Sequence, residues 1–191
     1  MVEGTMTIKQ KPQPAEKQLA QIVAAAKQDP RMFGDLYLLY AQPVFRYLYS
    51  RIGSIPEAED ATAQTFLAAL ERLPKYRHDG YFASWLFSIA RNKAMDYFRK
   101  QRKEAPLDEA EHIPVDANLL QQVIHTERTA ALSRLISALP EDEQELIRLR
   151  YVAELGFAEI GNLLGQKEDT AKKTLYRLLA RLKAQLEDAH V

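Results

Sequence analysis

The sequence contains no cysteine. That excludes a disulfide framework, a thiolate zinc site and a cysteine nucleophile. No apolar run approaches the ~18–20 residues needed to span a bilayer. Met1–Thr5 lacks a basic stretch leading into an apolar core, so no secretory leader is expected and a reducing, cytoplasmic home fits best. Glycine numbers only 7 in 191 residues, and no glycine-rich phosphate loop or nucleophile motif occurs. The four histidines, His78, His112, His125 and His190, show no ligand spacing and are expected on the surface or in the linker. Glu59 and Asp60 are adjacent, and neighbouring helical residues splay by about 100°, so they do not converge as an acid/base pair. No metal, cofactor, catalytic residue or small-molecule substrate is expected, and an enzyme is the least favoured class. There is no excess charge of either sign: 26 Lys+Arg face 26 Asp+Glu. A free-standing nucleic-acid binder is disfavoured unless that charge is segregated along the chain.

It is segregated. From Trp85 to Lys103 six bases stand against Asp96 alone, net +5, and from Glu104 to Glu127 six acids stand unopposed, net −6. Glu141–Ile160 carries net −4 and Lys167–Lys183 net +4. Two basic patches beside acidic stretches suggest two contacts on one polyanion, with solvated helix faces as the plainer alternative.

Helical periodicity runs throughout, without β alternation, internal repeat or low-complexity tract. Helices are expected at about 15–27, 30–51, 57–73, 82–103, 118–138, 140–153, 157–164 and 168–187. Asp29-Pro30 reads as N-cap and first helical residue, Gly53–Pro56 as a break, and Pro43 as a kink position. The expected fold is all-α, with two small helical domains at 15–103 and 118–191. A flexible, acidic, proline-containing linker at 104–117 joins them, and a disordered tail covers 1–14.

A short helix, a glycine-containing turn and a long basic helix form a helix-turn-helix pattern at 157–187. Ala171, Leu175, Leu178, Leu182 and Leu186 make one buried stripe, which turns Lys172, Lys173, Tyr176 and Arg177 outward with Arg181 at the edge. Those side chains suit a major groove and its phosphates. In the first half, Tyr76–Phe87 is dense in aromatics and enters the +5 helix. There Trp85, Ser88, Asn92, Met95 and Arg99 share a face suited to unstacked bases. Phe82 and Phe87 are expected in the core, Trp85 is open between core and interface, and Tyr76, in a polar loop, is the stacking candidate.

Three stretches of this chain resemble the extracytoplasmic-function (group IV) sigma factors of the sigma-70 family of bacterial RNA polymerase. These are Glu57–Leu67, Phe82–Asp96 with its Trp-Leu-Phe-Ser-Ile-Ala-Arg-Asn run, and Leu139–Leu182. The resemblance covers about residues 19–187 and implies a DNA-binding transcription initiation factor. It implies a region 2 domain that engages the polymerase β′ coiled coil and melts the −10 element. It also implies a region 4 helix-turn-helix domain that reads the −35 duplex and meets the β flap. By position it places Tyr76, Arg77, His78, Asp79, Gly80, Trp85, Ser88, Asn92 and Arg99 at the −10 strand, and Thr170, Lys172, Lys173, Tyr176, Arg177 and Arg181 at the −35 duplex. Glu59, Asp60, Phe66 and Leu67 fall at the polymerase contact. The partners it implies are core polymerase, promoter DNA and, for many members, an anti-sigma factor.

Three departures stand out. Ala63-Gln64 replace a frequent acidic pair, Gln166-Lys167 replace a frequent Val-Ser before the recognition helix, and Thr174 stands where Arg is frequent. Asp169 is then the expected cap or N-terminal charge. The alternative reading is a stand-alone dimeric helix-turn-helix regulator on a palindromic site, and a third is an adaptor without a DNA role.

Overall fold

The computed structural model describes residues 16–77, 80–104 and 127–188. The expected tail, the linker at 104–117 from its second residue on, and the start of the helix expected at 118–138 lie outside the described residues.

Four helices make the first half: α1 (Glu16–Gln28), α2 (Phe33–Ile52), α3 (Ile55–Arg72) and α4 (Phe82–Glu104). A 3₁₀ turn, Pro30–Met32, opens α2, and Asp29 caps it by accepting from the Arg31 N–H at 3.0 Å. The α2 helix continues through Pro43 without interruption and ends on Gly53 at φ 78°, the left-handed cap that glycine adopts without steric cost. Pro56 in the first turn of α3 loses only an N–H that the helix does not need. A second 3₁₀ turn, Leu73–Lys75, leads into the loop before α4.

The second half contains α5 (Glu127–Ser137), α6 (Glu141–Ile147), α7 (Phe157–Leu164) and α8 (Glu168–Asp188). The single helix expected at 140–153 is an α-helix only to Ile147, and Arg148–Val152 widens to a π-helical segment. Glu154 then takes φ 61°, a left-handed conformation that costs roughly 1–3 kcal/mol outside glycine. In α7 and α8 the stripe lands as periodicity predicts: Ala171, Leu175, Leu178 and Leu182 are buried, with Leu186 half-buried. Gly165 at φ 67° makes the turn between them.

The two halves pack against each other. Val44, Tyr47, Leu86, Phe87 and Ala90 of the first half share one continuous core with Leu146, Leu149, Leu155 and Ile160 of the second. Elements α2 and α4 supply the first half's side of this contact, and α6, the π segment and α7 the second's. No strand occurs among the described residues.

Candidate nucleic-acid interface

The structure brings the α4 side chains singled out in the sequence to one side of the helix. Trp85, Ser88, Asn92, Met95 and Arg99 lie within about 80° of one another around the helix axis and span about 21 Å along it. Asn92 and Arg99 are exposed, Met95 is 54% exposed, and Trp85 and Ser88 are half-buried. The opposite face is core: Phe82, Leu86, Phe87, Ala90 and Ala94 are all buried, which is why the polar face turns outward. Ser88 Oγ donates to the Trp85 carbonyl at 2.6 Å, so its hydroxyl faces a ligand as an acceptor. Arg99 pairs with Asp96 at 2.8 Å. A groove of about 830 Å³ beside this face is lined by Arg72, Asn92, Lys93, Arg99 and Arg102 among others, which makes it cationic.

Tyr76 departs from expectation. Its ring is only 7% exposed and lies under the aromatics of α4, 4.7 Å from the Trp85 ring and 5.6 Å from Phe82. Lys27 Nζ of α1 donates to the Tyr76 carbonyl at 2.7 Å and ties the loop down. Polarity of the loop suggested an exposed ring; the edge-on contact with Phe82 and the burial of an aromatic surface outweigh it. The cleft at this point, about 410 Å³, is lined by Tyr76, Arg77, Trp85 and Ser88, and on its far side by Asn162 and Leu163 of α7. Arg77 is exposed. Gly80 sits at φ 86°, where a Cβ would stand 2.8 Å from a Glu16 carboxylate oxygen. His78 and Asp79 lie outside the described residues.

The outer face of α8 is cationic. Thr170, Lys172, Lys173, Tyr176 and Arg177 are exposed, Tyr176 by 55%. Arg181 is also exposed but is engaged by Glu143 of α6, which reduces its claim on a phosphate. Glu168 and Asp169 occupy the first turn and offset the positive end of the helix dipole; Asp169 is thus an N-terminal charge rather than a cap. The Tyr176 ring stands 6.1 Å from that of Phe157, over which the Arg150 guanidinium sits at 4.8 Å. Gly161 allows the close approach of α7 to the turn: a Cβ there would meet the Gln166 carbonyl oxygen at 2.7 Å.

The third expected surface lies on α3. Glu59 and Asp60 are exposed, and Gln64 Nε2 donates to Asp60 at 2.6 Å, so the amide that replaces a frequent acid braces its neighbour. Phe66 and Leu67 part ways. Phe66 is buried edge-on against Tyr37 and Phe33, whereas Leu67 is 58% exposed. Tyr37 and Leu38 of α2, the latter 76% exposed, add apolar surface; Leu38 lies off the three-and-four spacing of apolar positions along this helix.

Sequence reasoning also missed a buried charge cluster between the halves. The Glu145 side chain is only 3% exposed. It accepts from Tyr47 Oη at 2.7 Å and from Arg51 at 3.2 Å, with Arg91 Nε 3.5 Å away and Arg148 at 3.9 Å. Arg51 and Arg148 also reach Glu141, at 3.1 and 2.9 Å. Burial, then the Glu145 charge, pushes the Tyr47 hydroxyl well above the usual phenol range. Burial opposes the Arg51 charge, but Tyr47 and Glu145 outweigh it and hold its pKa above the ordinary value. Arg91, expected in the +5 patch, is thereby turned inward. Nearby, Arg46 pairs with Glu154 at 2.8 Å, and Ser84 Oγ donates to the Glu159 carbonyl at 2.7 Å. Burial raises the Glu159 carboxyl, partly offset by the Gly156 N–H it accepts. In sequence Glu145 looked like one more solvated acid; its place beside Leu146 and Leu149 was the available signal. Among the described residues no cluster of metal-ligating side chains occurs, and no helix is long and apolar enough to cross a membrane.

Comparison with known proteins places both halves in one family. A model of sigma-70 region 2 matches residues 36–104 and one of sigma-70 region 4 matches 129–182. The ECF RNA polymerase sigma factor BldN of Streptomyces coelicolor is 35% identical over 162 residues, which is 82% of this chain and 61% of BldN. The ECF RNA polymerase sigma factor SigM of Bacillus subtilis is 32% identical over 151 residues, 78% of this chain and 92% of SigM. Among solved structures, CnrH in complex with the cytosolic domain of CnrY superposes with a TM-score of 0.63 at 22% identity, covering 88% of this chain and 96% of CnrH. The sigma factor RpoE in complex with the anti-sigma factor NepR from Bartonella quintana gives 0.58 at 20% identity, covering 81% and 96%. The last two likenesses are of fold.

Proposed function

This chain belongs to the ECF RNA polymerase sigma factors, and from that premise we propose how its residues divide the work of transcription initiation. Residues 15–103 form the half that holds polymerase and melted DNA, residues 118–191 the half that reads duplex DNA, and 104–117 the connection. Core polymerase docks on the α3 face at Glu59, Asp60 and Leu67, widened by Tyr37 and Leu38, with Phe66 as the buried support. The β flap meets the second half.

The −10 strand lies along α4. Bases stack on Trp85 and meet the acceptor of Ser88 and the amide of Asn92, and Arg99 and Arg77 neutralise phosphates. Tyr76, with His78, Asp79 and Gly80, shapes the pouch in which a flipped base rests, and Tyr76 acts as its floor. Lys172, Lys173, Tyr176, Arg177 and Thr170 enter the −35 major groove, and Arg181 takes a flanking phosphate on release from Glu143.

The protein acts by binding, in the cytoplasm and on the nucleoid, and catalyses no reaction of its own. An anti-sigma factor is a partner in this reading, since solved structures of similar fold contain one. The observation that carries the reading is the strip of Trp85, Ser88, Asn92 and Arg99 along one side of α4, half-buried at Trp85 and Ser88 and exposed at Asn92 and Arg99, opposite the buried Phe82, Leu86, Phe87, Ala90 and Ala94. Region matches in both halves weigh against a stand-alone dimeric regulator.

In vitro transcription on genomic DNA tests it. Core polymerase plus this chain should yield transcripts with defined start sites, and Asn92→Ala should reduce them while leaving binding to core unchanged. No factor-dependent start from any fragment contradicts it.

A further inference from the structure

The segment that carries Tyr76 rests on the first helix of the chain. Lys27, in the last turn of α1, donates from Nζ to the Tyr76 carbonyl at 2.7 Å. At the other end of α1, Glu16 stands close enough to Gly80 that a Cβ on that glycine would lie 2.8 Å from its Oε1. From Glu16 to Lys27 the helix completes about three turns, so the two side chains stand about 20° apart on one face and about 16 Å apart along the axis. Ala20 and Val23 share that face. Tyr76 and Gly80 are therefore both seated on a single face of α1, the later residue of the pair against the earlier residue of the helix.

That seat is firm. Leu19, Val23 and Ala26 of α1 are buried, and α1 packs against the 3₁₀ turn Leu73–Lys75 that leads to Tyr76. The Tyr76 N–H closes this turn by donating to the Leu73 carbonyl at 3.0 Å. Lys27 then holds the Tyr76 carbonyl with a charge-assisted bond, roughly twice as strong as a neutral one. With its N–H and its carbonyl both fixed, Tyr76 has little freedom in where its ring points. The ring goes under α4, 4.7 Å from Trp85 and 5.6 Å from Phe82. Neither Lys27 nor Glu16 lines the cleft beside Tyr76 and Trp85.

We propose that α1 is a splint for the base-holding pouch and that Lys27 is a positioning residue for strand capture: by gripping the Tyr76 carbonyl it sets the Tyr76 ring as the pouch floor, without itself touching DNA. The inference rests on reading Tyr76 and Trp85 as the site of a flipped base. It deepens that reading by naming a residue outside the pouch, on a helix that the α4 strip does not include, that governs how well the base is held.

Fork-shaped DNA tests it, with holoenzymes carrying the native chain, Lys27→Met or Lys27→Arg. Each fork joins a −35 duplex to an unpaired −10 strand and is built on a start site found by genomic transcription. Unpaired positions are made abasic one at a time, and the position whose loss costs the native holoenzyme most marks the pouch base. The native holoenzyme should prefer the intact fork over that abasic fork by about tenfold, the order of one stacked base. Lys27→Met keeps a long stem but removes the donor. It should lose most of the preference by binding the intact fork less well, and should bind the abasic fork as the native chain does. Lys27→Arg keeps a cationic donor and should restore the preference. A purely structural role would weaken both forks alike.

A second readout needs neither polymerase nor DNA. Trp85 is the sole tryptophan, and Tyr76 lies against it. In the free chain Lys27→Met should shift Trp85 emission to longer wavelength as Tyr76 moves away, and Lys27→Arg should not. The proposal is overturned by a Lys27→Met holoenzyme that keeps the native preference or weakens on both forks equally, by Lys27→Arg behaving as Lys27→Met does, or by Lys27→Met emission identical to native. A native holoenzyme indifferent to every abasic position overturns it too, because there is then no captured base to position. Failure of the sigma reading shows separately, as no factor-dependent start on any genomic fragment, and the Trp85 emission still decides whether Lys27 places Tyr76.

Discussion

Gly161 and Glu145 show how much one side chain decides here. At Gly161 an added methyl meets the Gln166 carbonyl oxygen at 2.7 Å and the Glu168 nitrogen at 3.1 Å, both backbone atoms that cannot yield cheaply. Gly161→Ala should therefore destabilise by about 1–3 kcal/mol, read as a lower urea midpoint with unchanged slope. Glu145→Ala leaves Arg51 and Arg148 with Glu141 as their remaining counter-charge and Tyr47 without its acceptor, a loss of about 3 kcal/mol by chemical denaturation. Neither position stood out in the sequence, because a glycine's neighbours and an acid's burial are tertiary facts. Trp85 and Asn92 did stand out, since a spacing of about two helical turns is local. Tyr76 was misjudged on the polarity of its loop: the rings of Phe82 and Trp85 that cover it belong to α4, and only the fold brings Lys27 beneath its carbonyl.

Elements were more legible than contacts. Caps and buried stripes placed α1, α4, α7 and α8 within a residue or so of where they lie, and α2 at its end, its first three expected residues forming the 3₁₀ turn Pro30–Met32, because capping and amphipathicity are written in adjacent residues. The π segment at Arg148–Val152 was not legible: its widening accompanies the packing of this segment against α2, and nothing in Arg-Leu-Arg-Tyr-Val announces it. Functionally, α8 should behave as a groove-facing helix. Lys172→Ala should weaken −35 binding by holoenzyme similarly across sequences and reduce the slope of log K against log salt by about 0.9. Tyr176→Ala should instead change which −35 sequences are preferred, measured by selection from randomised duplexes. Equal salt slopes for native and Lys172→Ala chains would remove Lys172 from the phosphate contacts.

For the whole molecule, zero net charge now has a structural counterpart. Acids of the second half meet bases of the first across the interface, at Glu145 with Arg51 and Arg91, and at Glu154 with Arg46. Charge offset within the chain leaves few counterions to release, so promoter binding without polymerase should be weak and both modules gain from being held in register. The separation of charge along the sequence was visible; that the opposed segments pair with each other was not, because pairing depends on which helices face. Leu67→Asp and Leu38→Asp, on exposed surface of α3 and α2, should weaken binding to core polymerase at least roughly tenfold if each removes a contact of about 1.4 kcal/mol. Circular dichroism and the thermal midpoint should stay unchanged, because neither side chain is in the core. The central claim is that polymerase bearing this chain opens promoter DNA along the Trp85–Asn92 strip. Permanganate mapping of unpaired thymines on promoter DNA bound by that holoenzyme tests it most directly. We predict a discrete reactive patch upstream of the start site that disappears with Trp85→Ala/Asn92→Ala while the holoenzyme still occupies the −35 duplex; a patch of unchanged reactivity in that double variant would contradict the account.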